Sequence, residues 1–244
     1  MIGRKLKEKM LNELLKELEQ ARNPEQAANL QRFFKTGKGE YGEGDIFLGI
    51  MVPEQRKIAK KFKDLNLSNI QTLLESGIHE KRLIALFILI DKYKKADKEK
   101  NEIEKGNIFN FYLKNSKNIN NWDLVDLSAP NIIGNFLQGK SKKVLYELAK
   151  SKNLWERRIA VLASFSFIKK EEFEDAIAIS ESLLDDKEDL IHKAVGWMLR
   201  EIGKRNKEEL LYFLGKHYKV MPRTMLRYSI EKLEESEREK WMKK

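Results

Sequence analysis

Hydrophobic residues recur at three- and four-residue spacing along almost the whole chain, and no segment keeps the alternation of a β-strand. Only four prolines and 13 glycines interrupt this pattern. The periodicity therefore predicts an all-α protein. The predicted helices span residues 3–21, 24–34, 53–62, 68–74, 79–94, 98–114, 122–137, 142–151, 154–168, 171–184, 188–204, 207–218, 223–233 and 237–242.

The predicted helices also repeat. Segments 73–95, 148–170 and 183–205 each contain a leucine-ended helix, a polar turn, a charged first turn and a long apolar helix with a basic end. The basic residues that we superpose are Arg82, Arg158 and Lys193 in these segments and Arg227 in the helix that follows them. They are separated by 76, 35 and 34 residues, and the first gap leaves room for a missing copy near Trp122. This period is near that of HEAT repeats. We predict one domain, residues 1–244, forming an α-solenoid of antiparallel HEAT-like repeats whose concave face binds duplex nucleic acid or another protein.

Composition narrows the chemistry of the chain. With 41% hydrophobic residues among 244, the chain can bury a core. The absence of cysteine excludes disulfides, thiolate metal sites and cysteine nucleophiles, and the three histidines lack metal-binding spacing. No metal or cofactor is expected. The longest apolar stretches are too short to span a membrane, and the first 20 residues are too charged for a signal peptide, so a cytoplasmic protein is expected.

The net charge of +10 suits a polyanionic partner, provided that the cations share one face. The alternative is that a lysine- and glutamate-rich surface reflects helix propensity, solubility or adaptation to heat. Charge alone leaves both interpretations open.

Two glycine patterns resemble nucleotide-binding motifs without their structural context. The G-x-G-x-x-G at residues 37–42 follows no predicted strand and lies among acidic residues that would repel a pyrophosphate. The G-x-x-x-x-G-K-S at 134–141 follows a helical run, whereas a phosphate-binding loop must follow a strand. We interpret the first as a loop and the second as a helix end.

The sequence NNWDLVDL, residues 120–127, combines one tryptophan with two carboxylates. Trp122 and Asp126 lie four residues apart, so they share a helix face. The plainer alternative is a partly buried tryptophan beside an aspartate bonded to backbone or arginine. Matching helices carry Trp155 and Trp197, which would share a surface if the repeats align, or else belong to the core.

Four blocks, taken together, resemble the AlkD-type DNA alkylation repair proteins, which are DNA glycosylases built from HEAT-like repeats. The blocks are FLGIMVPEQRK (47–57), NNWDLVDLSAP (120–130), NLWERRIAVLASFSFIKK (153–170) and LIHKAVGWMLREIGKRN (190–206). They span nearly the whole chain in the family's order. The resemblance implies that Asp126 is the catalytic carboxylate, that Trp122 and Trp197 flank the lesion, that Arg158 binds the DNA backbone, and that Phe33 contacts DNA from the N-terminal region.

The resemblance further implies that Lys193, Arg200 and Arg227 add salt-dependent affinity for the DNA backbone. The chain departs from the family at Asn121, where some relatives have another tryptophan, and in the glycine-rich insertion at 37–44. These departures leave Trp122 and Asp126 of the W-D-L-V-D motif in place.

The implied activity is that of a monofunctional alkylpurine DNA glycosylase in base excision repair, acting as a monomer on N3-methyladenine and N7-methylguanine in duplex DNA. It would use no cofactor and no lysine nucleophile. Two alternatives stay open at this point. One is a non-catalytic solenoid that binds distorted or branched DNA, and the other is a protein-binding scaffold.

Overall fold

The computed structural model describes residues 2–243, with side chains from residue 9 onward, and this part of the chain is helical without any strand. The α-helices are α1 Ile2–Gln20, α2 Pro24–Phe33, α3 Val52–Lys61, α4 Leu67–Leu74, α5 His79–Lys98, α6 Glu102–Lys114, α7 Trp122–Ala129, α8 Lys143–Ala149, α9 Leu154–Ala163, α10 Phe165–Ile168, α11 Glu174–Ser182, α12 Asp189–Gly203, α13 Lys207–His217, α14 Arg223–Ile230 and α15 Glu235–Met242. A 3₁₀ turn covers Ser116–Asn118, and a π-helical turn covers Pro130–Gly134. The all-α prediction is confirmed.

Asparagine side chains begin many of these helices. In each case the side-chain oxygen accepts a backbone N–H of the first turn, which satisfies a donor that the helix itself cannot pair. The capping residues are Asn23, Asn66, Asn101, Asn153 and Asn206. The asparagines therefore fix where the helices start.

The chain divides into two compact units, Met1–Leu124 and Val125–Lys244. In the first unit, α5 packs against α3, α4 and α6. Residues 83–90 of α5 are all buried, which explains why this stretch is apolar on every side instead of striped. Only an isolated parallel bridge joins Ile46 to Ile78 in the described part of this unit.

In the second unit, α12 packs against α9, α13 and α14, and α8 packs against α9. The contact of α12 with α14 is close enough to require glycine, because a Cβ atom on Gly196 would lie 2.6 Å from the carbonyl oxygen of Met225. The prediction of a single domain stays a prediction.

Matching hydrogen bonds reveal the register of the repeats. In three turns a side-chain oxygen accepts the backbone N–H two residues later, and the carbonyl of the same residue bonds a basic side chain six residues later. The pairs are Ser76 with Arg82, Ser151 with Arg157, and Asp186 with His192. Arg82 thus corresponds to Arg157 and His192. The superposition made from the sequence paired Arg82 with Arg158 and Lys193, which is one residue too late in both repeats.

In three cases the difference between a predicted and an observed helix has a visible local cause. The helix predicted at 98–114 begins at Glu102, because Lys100 adopts a left-handed φ of 53° that ends α5. The helix predicted at 154–168 is interrupted at Ser164. The helix predicted at 122–137 contains the π-helical turn, which starts at Pro130, a residue without a backbone N–H. No described helix is both long and apolar enough to cross a membrane.

Candidate active site

The carboxylate of Asp126 is held by a two-pronged ion pair with Arg158. Nε and Nη2 of the guanidinium donate to Oδ1 and Oδ2 of Asp126, each at 2.8 Å. Asp126 lies on α7 and Arg158 on α9, 32 residues later. Paired, charge-assisted bonds of this kind fix the orientation of a carboxylate as well as its charge.

Burial differs between the two partners. The side chain of Arg158 is only 5% exposed, whereas that of Asp126 is 18% exposed. Nη1 of Arg158 also donates to the carbonyl oxygen of Leu190, in the first turn of α12, at 2.5 Å. The guanidinium is therefore fixed inside the second unit, and the carboxylate is the member of the pair that meets solvent.

Trp197 lies farther along α12 than the carbonyl that anchors Arg158. The seven residues from Leu190 to Trp197 span roughly 10 Å of helix axis. Trp197 packs on Phe165, with ring centroids 6.1 Å apart. Its indole is partly exposed, so the alternative of a fully buried core tryptophan does not hold for it.

The other basic residues of the predicted site have different surroundings. Lys193 and Arg200 share a face of α12 with Trp197, and they form ion pairs with Asp189 and Glu231 respectively. Arg227 is exposed on α14. Their predicted contacts with the DNA backbone stay predictions.

In the first unit, Trp122 belongs to an aromatic cluster. Its ring stacks on that of Phe34, with centroids 5.2 Å apart and planes inclined by 18°, and meets Phe33 edge-on at 6.0 Å. Phe34 stacks in turn on Phe47 at 5.0 Å. Phe33 is 63% exposed, so it is available to a partner, as its predicted DNA contact requires.

Behind these rings lies a buried polar network that the sequence did not reveal. His79 Nδ1 lies 2.9 Å from Oδ2 of Asp45, and His79 Nε2 lies 2.8 Å from Oδ2 of Asp123. Arg82 and Asn121 also donate to Asp45. Each ring nitrogen faces its own carboxylate at hydrogen-bond distance, which leaves no common point for a metal ion, and the described residues form no cluster suited to one.

The network changes the ionisation of His79. Burial favours the neutral imidazole, but the hydrogen bonds and charges of Asp123 and Asp45 outweigh it and raise the pKa of His79 to about 9. Burial likewise opposes ionisation of Asp45, yet His79, Arg82 and Asn121 hold the pKa of its carboxyl below the usual value. His79 is therefore an imidazolium at neutral pH.

This ionisation predicts a pH dependence of stability. The folded-state pKa lies above that of an unfolded histidine, so the contribution is complete below pH 6.5 and is lost as the pH rises through about 9. A shift of this size corresponds to about 3 kcal/mol of unfolding free energy. Urea unfolding between pH 6 and pH 10 measures it. In His79→Gln the unfolding free energy should no longer decline as the pH rises, whereas in His217→Gln the decline should persist. An equal decline in both variants would contradict its assignment to the His79 imidazolium.

A second buried carboxylate orders the FLGI segment. Glu80 is fully buried and accepts the backbone N–H groups of Leu48, Gly49 and Ile50 at 2.8 to 3.2 Å. Gly49 adopts a φ of +85°, and a Cβ atom there would lie 2.0 Å from the carbonyl oxygen of Asn23. The FLGI block therefore folds around Glu80, and its Phe47 joins the aromatic cluster.

Fold and site together define the class of the protein. It is an all-α helical-repeat protein that carries an arginine-paired aspartate on a W-D-L-V-D helix. Residues 14–233 match the family described as DNA alkylation repair enzyme, and the chain belongs to that family. Membership gives it a role in the repair of alkylated DNA and implies that it binds DNA. The resemblance to the AlkD-type DNA alkylation repair proteins, stated from the sequence, is confirmed.

Solved structures are similar to the chain in fold. A predicted DNA alkylation repair enzyme from Enterococcus faecalis has 19% identity and a TM-score of 0.66, covering 88% of this chain and 97% of its own. AlkD2 from Streptococcus mutans has 20% identity and a TM-score of 0.54, covering 85% and 97%. The smu.31 protein from Streptococcus mutans UA159 has 21% identity and a TM-score of 0.52, covering 83% and 94%. No curated protein matches the sequence.

Proposed function

We propose that the protein is a monofunctional DNA glycosylase that hydrolyses the N-glycosidic bond of cationic alkylated purines in duplex DNA. The observation that carries the proposal is the Asp126 carboxylate, held in one orientation by Arg158 and still reached by solvent. A fixed, partly desolvated negative charge is what the chemistry of this reaction requires.

The chemistry follows from the charge of the substrate. Alkylation at N3 of adenine or N7 of guanine makes the purine cationic, so it leaves with the bonding electron pair and needs no added proton. The sugar becomes oxocarbenium-like, and a carboxylate stabilises that positive charge and orients or deprotonates the attacking water. Asp126 would therefore support hydrolysis without a covalent lysine intermediate.

Aromatic and basic residues would supply binding. Trp122 and Trp197 are both partly exposed, and indole faces attract cationic groups. Phe33 would contact DNA from the N-terminal side. Phosphate contacts by Lys193, Arg200 and Arg227 would position the duplex without reading its sequence, and would make affinity fall with salt. We expect the protein to act as a monomer and without a cofactor.

The charge requirement gives the sharpest test of the substrate class. Duplexes that contain N7-methylguanine, N3-methyladenine or the neutral base hypoxanthine at one position are incubated with the protein, and the free base is quantified. We expect release of both cationic purines, no release of hypoxanthine, and no strand cleavage before alkali treatment. Equal release of hypoxanthine would contradict a mechanism that relies on a cationic leaving group.

Arg158 has two candidate roles, and one substitution separates them. If it orients Asp126, as its buried ion pair supports, Arg158→Lys loses the two-pronged geometry, so the single-turnover excision rate falls about 10–100-fold while duplex affinity stays nearly constant. If it binds a phosphate, affinity weakens and the slope of log affinity against log salt decreases by about 1. Excision under saturating enzyme and fluorescence anisotropy at several salt concentrations measure the two effects. Unchanged excision would exclude the orienting role.

A further inference from the structure

The residues on both sides of Trp122 are tied to one buried group. Asn121 is fully buried; its Nδ2 donates to Oδ2 of Asp45 at 3.1 Å, and its Oδ1 accepts the backbone N–H of Trp122 at 2.8 Å. Asp123 accepts from His79 through Oδ2 and from the backbone N–H of Leu124 through Oδ1. The first turn of α7 is thus held before and after the tryptophan.

The ring of Trp122 is fixed by the same group through aromatic contacts. His79 stacks on Phe47 at 4.5 Å and lies 4.9 Å from the ring centre of Phe34. Phe34 stacks on Trp122. Imidazole, phenyl and indole rings therefore form one continuous stack, and we expect a displacement of His79 to shift the indole.

We propose that the residues of this buried network are positioning residues, which together hold Trp122 in its place beside the lesion; they are Asp45, His79, Asn121 and Asp123. The proposal rests on the proposed function for the role of Trp122. The proposal also assigns a role to the glycine-rich insertion, which is to place Asp45. Residues 37–44 lead directly into Asp45, and Gly44 turns the backbone with a φ of +87°. Asn121, the position where some relatives have a tryptophan, acts here as the link between Asp45 and α7.

This clamp, formed by Asp45, His79, Asn121 and Asp123, needs the charged form of His79. Both ring nitrogens face carboxylate oxygens, which only accept hydrogen bonds, and only the imidazolium donates from both nitrogens. Arg82 supplies the second cation through Asp45, so two carboxylates are balanced by two cations, while Glu80 is directed to the backbone at Leu48–Ile50. Loss of the imidazolium proton removes one of the two bonds, so one carboxylate loses the donor that the imidazole supplied.

The weaker side of the clamp is Asp123. Its side chain is 17% exposed, compared with 3% for Asp45, so water compensates Asp123 more readily. Deprotonation of His79 should therefore release the contact with α7 first and free the ring of Trp122.

The test is nuclear magnetic resonance of the full chain, which needs no activity. The imidazole nitrogens of His79 and the aromatic C–H groups of Trp122 are followed from pH 6 to pH 10.5, with Trp122→Phe used for assignment. We expect the order parameter of the Trp122 ring to fall from about 0.85 to below about 0.6 with the same midpoint as His79, near pH 9. An indole order parameter that ignores the titration of His79 would overturn the proposal.

Variants separate positioning from general stability. His79→Gln should give a mobile Trp122 at every pH, and the less buried Asp123→Asn serves if His79→Gln does not fold. The matched control is His217→Gln, whose ring also pairs with a glutamate and packs on a phenylalanine, far along the chain in α13. We expect His79→Gln or Asp123→Asn to lower the single-turnover excision rate about tenfold with little change in duplex affinity, and His217→Gln to change neither.

The two proposals can fail separately. If Trp122 loosens with His79 but no free base is released at any pH, the clamp stands and the glycosylase proposal falls. If base release is normal while Asp123→Asn leaves both the ring dynamics and the excision rate unchanged, the clamp falls and the glycosylase proposal stands.

Discussion

Asp126→Asn is expected to lower single-turnover excision of N7-methylguanine and N3-methyladenine by about 10²- to 10⁴-fold, while binding of the same duplex stays nearly normal. Asparagine has almost the same shape but no negative charge. It cannot stabilise an oxocarbenium-like sugar, and it cannot take a proton from the attacking water. The loss should therefore appear in the rate of base release and not in the affinity for DNA.

The chain offers a matched control for this substitution. Asp186 accepts Nε and Nη2 of Arg157 at 2.6 and 3.3 Å, an ion pair of similar form at another repeat. Asp186→Asn removes the same charge from a partly buried arginine but touches no predicted site residue. We expect comparable destabilisation of both variants and loss of excision only in Asp126→Asn. Excision that falls equally in both, or persists in Asp126→Asn, would contradict the assignment of Asp126.

Glu80→Ala is expected to have the largest effect on stability. It would leave the buried N–H groups of Leu48, Gly49 and Ile50 without their acceptor. Each of the three unpaired buried donors costs about 1–3 kcal/mol, so a loss of at least about 3 kcal/mol of unfolding free energy is expected. That is a large part of the stability of an ordinary domain, about 5–15 kcal/mol. Urea unfolding at pH 7 measures it.

Two comparisons make this prediction specific. Glu80→Gln keeps one acceptor oxygen and should fall between the wild type and Glu80→Ala. Glu54→Ala removes an exposed glutamate that pairs with Lys57, and exposed pairs contribute at most about 1 kcal/mol. Equal unfolding midpoints for Glu80→Ala and Glu54→Ala would show that the FLGI segment does not depend on Glu80.

Periodicity was sufficient to predict the helices because local spacing decides which face of a helix is buried. The start of α7 at Trp122 and of α9 at Leu154 was predicted to the residue. The sequence also brought Asp126 and Arg158 into one site, but only through the family resemblance. It assigned Arg158 to the DNA backbone, whereas the structure adds its ion pair with Asp126, a contact between residues 32 positions apart.

The buried network could not be predicted, because its members are joined only by tertiary packing. In the sequence, Asp45 is one of several acids in a predicted loop, and His79 is a histidine without metal-binding spacing. They lie 34 residues apart, and His79 lies 44 residues from Asp123. The one available signal is that a glycine-rich segment ends on an acid shortly before α3, and this signal does not specify a partner. The register predicted for the repeats is wrong by one position. Arg157 and Arg158 are adjacent and equally basic, so only their tertiary contacts distinguish them.

The most direct measurement is release of free base from duplex DNA with a single N7-methylguanine or N3-methyladenine, by the wild-type protein in excess over DNA, with duplex binding recorded in the same samples. We predict release at least about 100-fold faster than spontaneous loss of the base, leaving an intact strand with an abasic site. Release at the spontaneous rate from DNA that is fully bound would contradict the glycosylase proposal and leave a protein that binds DNA without cleaving the glycosidic bond.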